Sequence, residues 1–196
     1  MFREYAALDF VPLQSVSGVR IAPVRRPAAI TLDSPATSVM TDFAQTPAAT
    51  IEPEAAADFA ADYMRRRGVR ALLVIDPSGA VVGILTSTDL FGEKPIRFSL
   101  DYGVKRDEIR VADLMTPRSK LELLVYAEVH EARVGRVVAA LRRAGRQHFL
   151  VVEHGVDGEQ VRGIFSLSQI ARQLGVELQP TNFAHTFAEI EVALRD

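Results

Sequence analysis

Two short runs hold the residues best suited to bind a small molecule. Thr86-Ser87-Thr88-Asp89 follows Gly83-Ile84-Leu85, and Ser166-Leu167-Ser168-Gln169 follows Gly163-Ile164-Phe165. In each, an apolar strand ends in hydroxyl side chains and turns into a helix. Such a junction presents unpaired N–H groups and the positive end of a helix dipole, which suits a phosphate or a hydroxyl-bearing ligand. Thr86 and Thr88 can supply hydroxyls. Asp89, ionised, offers two acceptor oxygens that can take a pair of ligand hydroxyls, and Gly83 leaves room where backbone and ligand approach closely. The same runs also read as capping boxes, Thr86-x-x-Asp89 and Ser166-x-x-Gln169, which stabilise a helix start by about 1 kcal/mol with no ligand at all. Gln169 has one acceptor oxygen, an amide donor and no charge. The two runs are therefore expected to be unequal.

The elements that must position these runs occur twice. Glu54 to Arg67 places Ala56, Phe59, Ala60, Tyr63 and Met64 at helical spacing, with Pro53 fitting the first turn and Gly68 the stop. Ala71 to Ile75 reads as a buried strand. Asp76-Pro77-Ser78-Gly79 is a turn, since proline presets φ and glycine accepts a positive φ. Ala80 to Leu85 is the returning strand. In the second half, Val134, Val137, Val138 and Leu141 line a helix that stops at Gly145. His148 to Val152 is a strand, Glu153 to Gln160 a longer turn, and Val161 to Phe165 the return. Gly163 lies 80 residues after Gly83 and Gly145 lies 77 after Gly68, so the register slips in the hairpin turn. The arginines ending both helices, Arg65 to Arg67 and Arg142-Arg143, complement the helix dipole.

Each copy has a lead-in. Ser38-Val39-Met40-Thr41 precedes a short strand near Ala48 to Ile51, and Asp113-Leu114-Met115-Thr116-Pro117 precedes one near Leu121 to Tyr126. Each unit is thus strand, helix, strand, strand, helix. One such unit is too small to bury its sheet alone, and two together share a core. The expected organisation is an N-terminal arm at 1–34, units at 35–93 and 108–178, a linker at 94–107, and a C-terminal helix at 179–196. The arm contains Val19-Arg20-Ile21 as an extra strand. The last segment spaces Phe183, Phe187, Ile190 and Leu194 along one helical face, with Thr181 or Asn182 as cap.

Composition narrows the function. A formal net charge of −2 draws the chain to neither nucleic acid nor anionic lipid. The absence of cysteine removes disulfides, thiolate metal sites and cysteine nucleophiles, and suits a cytoplasmic location. No run approaches the roughly 20 apolar residues of a membrane span, and no signal peptide is expected. His130-Glu131 begins like a zincin motif, but Val134 stands where the second histidine must be. No phosphate loop, dinucleotide fingerprint or nucleophile elbow is present. Neither a catalytic set nor a structural metal is expected.

The ordered set of lead-in, helix stop, strand pair and hydroxyl run resembles the CBS domain, named after cystathionine β-synthase. Its duplication over about Pro35 to Leu178 resembles a CBS pair, or Bateman module. The resemblance implies an α+β fold of two β-α-β-β-α units packed by pseudo-twofold symmetry, with ligand clefts between them. It implies a regulatory module rather than an enzyme. The ligand would be an adenosine compound such as AMP, ADP, ATP or S-adenosylmethionine, with no cofactor. It further implies a homodimer signalling to a separate protein; no membrane insertion is expected, and the acidic net charge speaks against the weaker reading of nucleic-acid binding through the arginine-rich helix ends. In this family the base lies against the first strand of a unit and the start of the second. The implied ligand set is Thr86, Thr88 and Asp89, which would hold the ribose, with Ala49, Thr50, Val69 and Arg70. Ser166, Ser168, Gln169 and Tyr126 form the second set, with Gln147 beside Tyr126. The contrasting expectation is an adaptor of the same fold with degenerate pockets and no nucleotide.

Overall fold

The computed structural model describes residues 7–21, 29–156 and 158–176. The C-terminal helix expected at 179–196 lies outside them. The first sheet runs β2-β3-β4-β5, from β2 (Thr50–Ile51), β3 (Ala71–Ile75), β4 (Val81–Thr86) and β5 (Thr116–Pro117). The second runs β1-β8-β7-β6, from β1 (Thr41–Asp42), β8 (Gly158–Ser166), β7 (His148–Gly155) and β6 (Leu123–Val125). Helix α1 (Ala57–Arg67) connects β2 to its parallel neighbour β3, and α6 (Val134–Ala144) lies between β6 and its parallel neighbour β7. Both helices end on left-handed glycines, Gly68 at φ 65° and Gly145 at φ 61°. Asp76 closes its turn by accepting from the N–H groups of Ser78 and Ala80, with Gly79 at φ 85°.

The sheets exchange their lead-ins. β1 precedes the first unit in the chain, yet it pairs antiparallel with β8 of the second sheet, Thr41 against Ile164. β5 precedes the second unit, yet it pairs with β4 of the first sheet, Thr116 against Ile84. The residues before each lead-in follow it across. Ala36, Val39 and Met40 are buried with Val137, Phe149 and Phe165, whereas Ile109, Val111 and Leu114 are buried with Ala60, Leu72 and Leu85. A third apolar cluster, around Leu73, Ile84 and Leu150 with Ile164 packed on it, lies at the seam where strands of both sheets meet. Each unit therefore completes its core with chain from before the other, which is why neither half of the sequence is self-sufficient.

Glycines at matching positions make the exchange possible. A Cβ on Gly83 would lie 2.7 Å from the Met115 sulfur and 2.8 Å from the Thr116 carbonyl oxygen. One on Gly163 would lie 2.6 Å from the Thr41 carbonyl oxygen and 3.0 Å from the Met40 sulfur. This corrects the sequence expectation for Gly83. The space it leaves is filled by the crossing Met115-Thr116 strand, not by a ligand.

Four other expectations change. Val19 to Ile21 form no strand, and Val19 and Ile21 are exposed. Helix α1 buries Ala57, Ala60, Ala61 and Met64, while Phe59 points outward and stacks on Tyr63 at 6.1 Å. The buried face of the helix is thus its alanine stripe, with Phe59 left outside. The second hairpin has no long turn at 153–160, because β7 and β8 continue to the Gly155–Gly158 pair. Its outer rungs, Glu153 with Gln160 and His154 with Glu159, are polar and carry no apolar alternation for the eye to catch. Tyr126 begins helix α5 (Tyr126–Glu131) rather than ending a strand.

Candidate functional site

The strand-to-helix junction of the first unit is built locally. At the end of β4, Thr86 caps helix α2 (Ser87–Phe91) through a complete capping box. The Asp89 N–H donates to Thr86 Oγ1 at 3.3 Å. Asp89 Oδ2 accepts from the Thr86 N–H at 2.8 Å and from the Thr86 hydroxyl at 2.6 Å. Two N–H groups at the helix start are thus satisfied within the chain. The other carboxylate oxygen, Oδ1, accepts from Lys94 Nζ at 2.8 Å, and the Asp89 side chain is only 14% exposed.

This junction forms one wall of a cleft of about 180 Å³. A single water needs only about 10–15 Å³ on this measure, so the volume is that of a small ligand or several waters. Thr86, Thr88 and Asp89 line it from the first unit, and Thr116 from the crossing lead-in. Glu122, Arg146, Gln147 and His148 line it from the second unit. The Thr88 hydroxyl bridges the seam to Gln147 Oε1 at 3.3 Å. Arg146 donates to the Lys120 carbonyl at 3.0 Å and lies 4.0 Å from Glu122.

His148 is the least satisfied polar group at this cleft. Its Nδ1 is buried and has no hydrogen-bond partner. Burial pushes the imidazole pKa down to about 4, nearby Asp89 opposes that shift, and Arg70 adds to it. The ring is therefore neutral near pH 7, with a nitrogen whose partner is missing, and an unmet buried group of this kind calls for an explanation.

The remaining expected residues lie elsewhere. Ala49 and Val69 pack against the first unit's core, and Thr50 pairs with Leu73 in β2. Arg70 is exposed at the start of β3, and its carbonyl accepts from the Ser87 N–H at 2.8 Å. Ser166, Ser168 and Gln169 stand at the junction of β8 with helix α7 (Leu167–Gln173). There the two serine hydroxyls are 3.1 Å apart, and Gln169 Oε1 accepts from the Thr41 hydroxyl at 3.3 Å. Ser166 makes no side-chain cap hydrogen bond, so the second capping box expected from the sequence does not form. Tyr126 lies under the Arg162 guanidinium at 4.6 Å rather than at the cleft lined by Asp89. Arg162 also holds Asp42 through two hydrogen bonds, at 2.8 and 3.0 Å, and Glu153 at 2.6 Å.

Sequence reasoning missed His148, Thr116 and Lys94. Thr116 carried a signal, because the repeat places it on Thr41. His148 and Lys94 carried none, since their importance depends on which elements meet. Among the described residues, no cluster of three or more His, Asp or Glu side chains could hold a metal ion. No described helix is long and apolar enough to cross a membrane.

Residues 36–94 match the family model of the CBS domain. No curated protein matches the chain. Solved structures do. An uncharacterised conserved protein from Pyrococcus horikoshii aligns at 24% identity and TM-score 0.54, over 78% of this chain and 100% of its own. A CBS domain pair in complex with 5-methylthioadenosine and S-adenosyl-L-methionine aligns at 20% identity and TM-score 0.50, over 74% and 97%. The CBS domain of a bacterial CNNM/CorC family Mg2+ transporter aligns at 20% identity and TM-score 0.51, over 76% and 80%. At these identities the likeness is one of fold.

Proposed function

We propose that this chain, whose residues 36–94 match the CBS domain and whose fold is like that of a CBS domain pair, is a regulatory module that binds an adenosine-containing ligand in the cleft beside Asp89. One observation carries the reading. The cleft brings Thr86, Thr88 and Asp89 together with a half-buried, neutral His148 whose buried Nδ1 lacks a partner. A ligand that enters the cleft and reaches that nitrogen relieves a desolvation cost of about 1–3 kcal/mol. The threonine hydroxyls and Asp89 suit a sugar, and the seam position couples occupancy to how the two units pack. A neighbour of this fold holds 5-methylthioadenosine and S-adenosyl-L-methionine, and another is the CBS domain of a transporter. Both fit a module whose ligand state is read by a partner protein. The ligand must favour one packing over another, because equal affinity for both shifts nothing.

A specific observation supports the contrasting reading of an adaptor without nucleotide. The Asp89 carboxylate is already engaged by Thr86 and Lys94. Thermal unfolding with AMP, ADP, ATP or S-adenosylmethionine separates the two. A ligand at 100 times its Kd stabilises the folded state by about 2.7 kcal/mol. The sensor reading expects that rise in Tm for at least one compound and its loss in Asp89→Ala. No rise with any of the four favours the adaptor.

A further inference from the structure

Lys94 sits where helix electrostatics disfavours it. It is the first residue of helix α3 (Lys94–Tyr102), at the positive end of that helix's dipole. Two contacts compensate. Its ammonium donates to Asp89 Oδ1 at 2.8 Å and also to the Leu114 carbonyl. Leu114 is the last residue of helix α4 (Val111–Leu114), where carbonyls lack intrahelical partners and attract cations. Lys94 thus ties together α2, α3 and the stretch leading into Thr116, which lines the cleft.

The internal repeat adds a second argument. Eighty residues on from Asp89 and Lys94 stand Gln169 and Leu174. The carboxylate and its cation are both absent from the second copy, where Leu174 packs against the apolar core. The lysine accompanies the carboxylate, not the fold. In the first copy the carboxylate's acceptor sites are mostly taken. Oδ2 accepts twice from Thr86, and Oδ1 faces Lys94. A pair of sugar hydroxyls needs acceptors on that same group.

We propose that Lys94 is a built-in competitor for the Asp89 carboxylate: a ligand whose hydroxyls bind Asp89 displaces the ammonium, and its release loosens α3. This rests on the adenosine reading of the cleft. Occupancy is thereby transmitted to a helix whose Ile96, Leu100 and Tyr102 are exposed. The lysine is 43% exposed, so its removal leaves the cores intact.

Titration calorimetry of the full chain with AMP and with S-adenosylmethionine tests the competition, using Lys94→Met, Lys94→Gln and Lys94→Arg. Lys94→Met and Lys94→Gln are expected to bind about three- to fivefold tighter than wild type, the range set by losing one partly exposed ion pair. Lys94→Arg keeps a competing cation and is expected to stay within about twofold of wild type. Amide hydrogen exchange over residues 94–102 is expected to speed up in ligand-free Lys94→Met, and in wild type on saturation with ligand. A merely structural lysine would not raise affinity when removed. If wild type binds and both neutral variants bind no tighter, the competition is refuted and the adenosine reading stands. Weaker binding by the neutral variants refutes it too, by making Lys94 a ligand contact. If neither wild type nor variants bind either compound, and none of AMP, ADP, ATP or S-adenosylmethionine raises the Tm, both readings fall.

Discussion

The two halves of this molecule are built to one plan and finished differently. Leu85 and Phe165 are both fully buried, Gly83 and Gly163 both accept a crossing strand, and Gly68 and Gly145 both stop a helix. The differences gather at the junctions. The first has a closed capping box, a carboxylate and a lysine. The second has an uncapped serine, a glutamine and a leucine. The lead-in crossings also differ. Asp42 on β1 meets Arg162 on β8, whereas the matching positions of the first sheet hold Pro117 and Val82. The duplication has kept what packing requires and diversified what faces the seam. That is the pattern expected when the two junctions no longer share one task.

The largest effect should come from the feature both halves share. Gly163→Ala forces a methyl against the Thr41 carbonyl oxygen, and overpacking of this kind costs about 1–3 kcal/mol. Gly83→Ala meets the Thr116 carbonyl oxygen at 2.8 Å, a little farther than the 2.6 Å at Gly163, beside the more adaptable Met115 sulfur, and is expected to cost somewhat less. Urea unfolding of the two variants checks the order. Equal stability to wild type in both would mean that the exchanged lead-ins do not hold the halves together.

Acid should distinguish the halves next. The Arg162 guanidinium beside Asp42, with its hydrogen bonds, holds that carboxyl at a pKa of about 2. Its unfolded value is about 3.9. A depressed carboxyl pKa means that the unfolded chain takes up the proton first. The stabilisation is complete above about pH 4 and is lost as pH falls toward 2. Asp42→Asn is expected to lose about 1–2 kcal/mol at pH 7, the scale of charge-assisted hydrogen bonds, and to flatten the stability profile between pH 4 and 2. Denaturant midpoints across that window are the measurement. His148 adds a separate limb at higher pH. Its folded pKa of about 4 lies below the unfolded 6.5, so stability declines as pH falls from about 6.5 to 4.

The smallest effect concerns the caps alone. Thr86→Ala is expected to cost about 1 kcal/mol, because it opens a formed capping box. Ser166→Ala is expected to cost a few tenths of that, since no cap hydrogen bond is lost. Equal costs in thermal unfolding would show that the two junctions are closer in kind than their hydrogen bonds indicate.

Much of this is legible in the sequence. The repeat, the glycine stops, the Asp76 turn and the Thr86 cap all rest on interactions within a few residues, where residue type and spacing suffice. The site was legible in part for the same reason. Thr86, Thr88 and Asp89 share one junction, so their proximity is local. The sequence reads Tyr126 as a strand residue, because a short apolar run does not reveal where the chain turns into a helix. Periodicity puts Phe59 on the same helical stripe as Ala60 and Met64 without fixing which of them meet the sheet.

The sequence by itself determined that two similar units exist, where their helices stop, and that only the first carries a carboxylate at its junction. Only the tertiary structure decided that each lead-in crosses to the other sheet, that His148 comes to the Asp89 cleft with an unmet nitrogen, and that Lys94 occupies the carboxylate. The physical reason is range. Turns and caps are settled by neighbours along the chain, whereas a two-residue strand, the surroundings of a half-buried imidazole and the Leu114 carbonyl that anchors Lys94 are set only when more distant segments pack together.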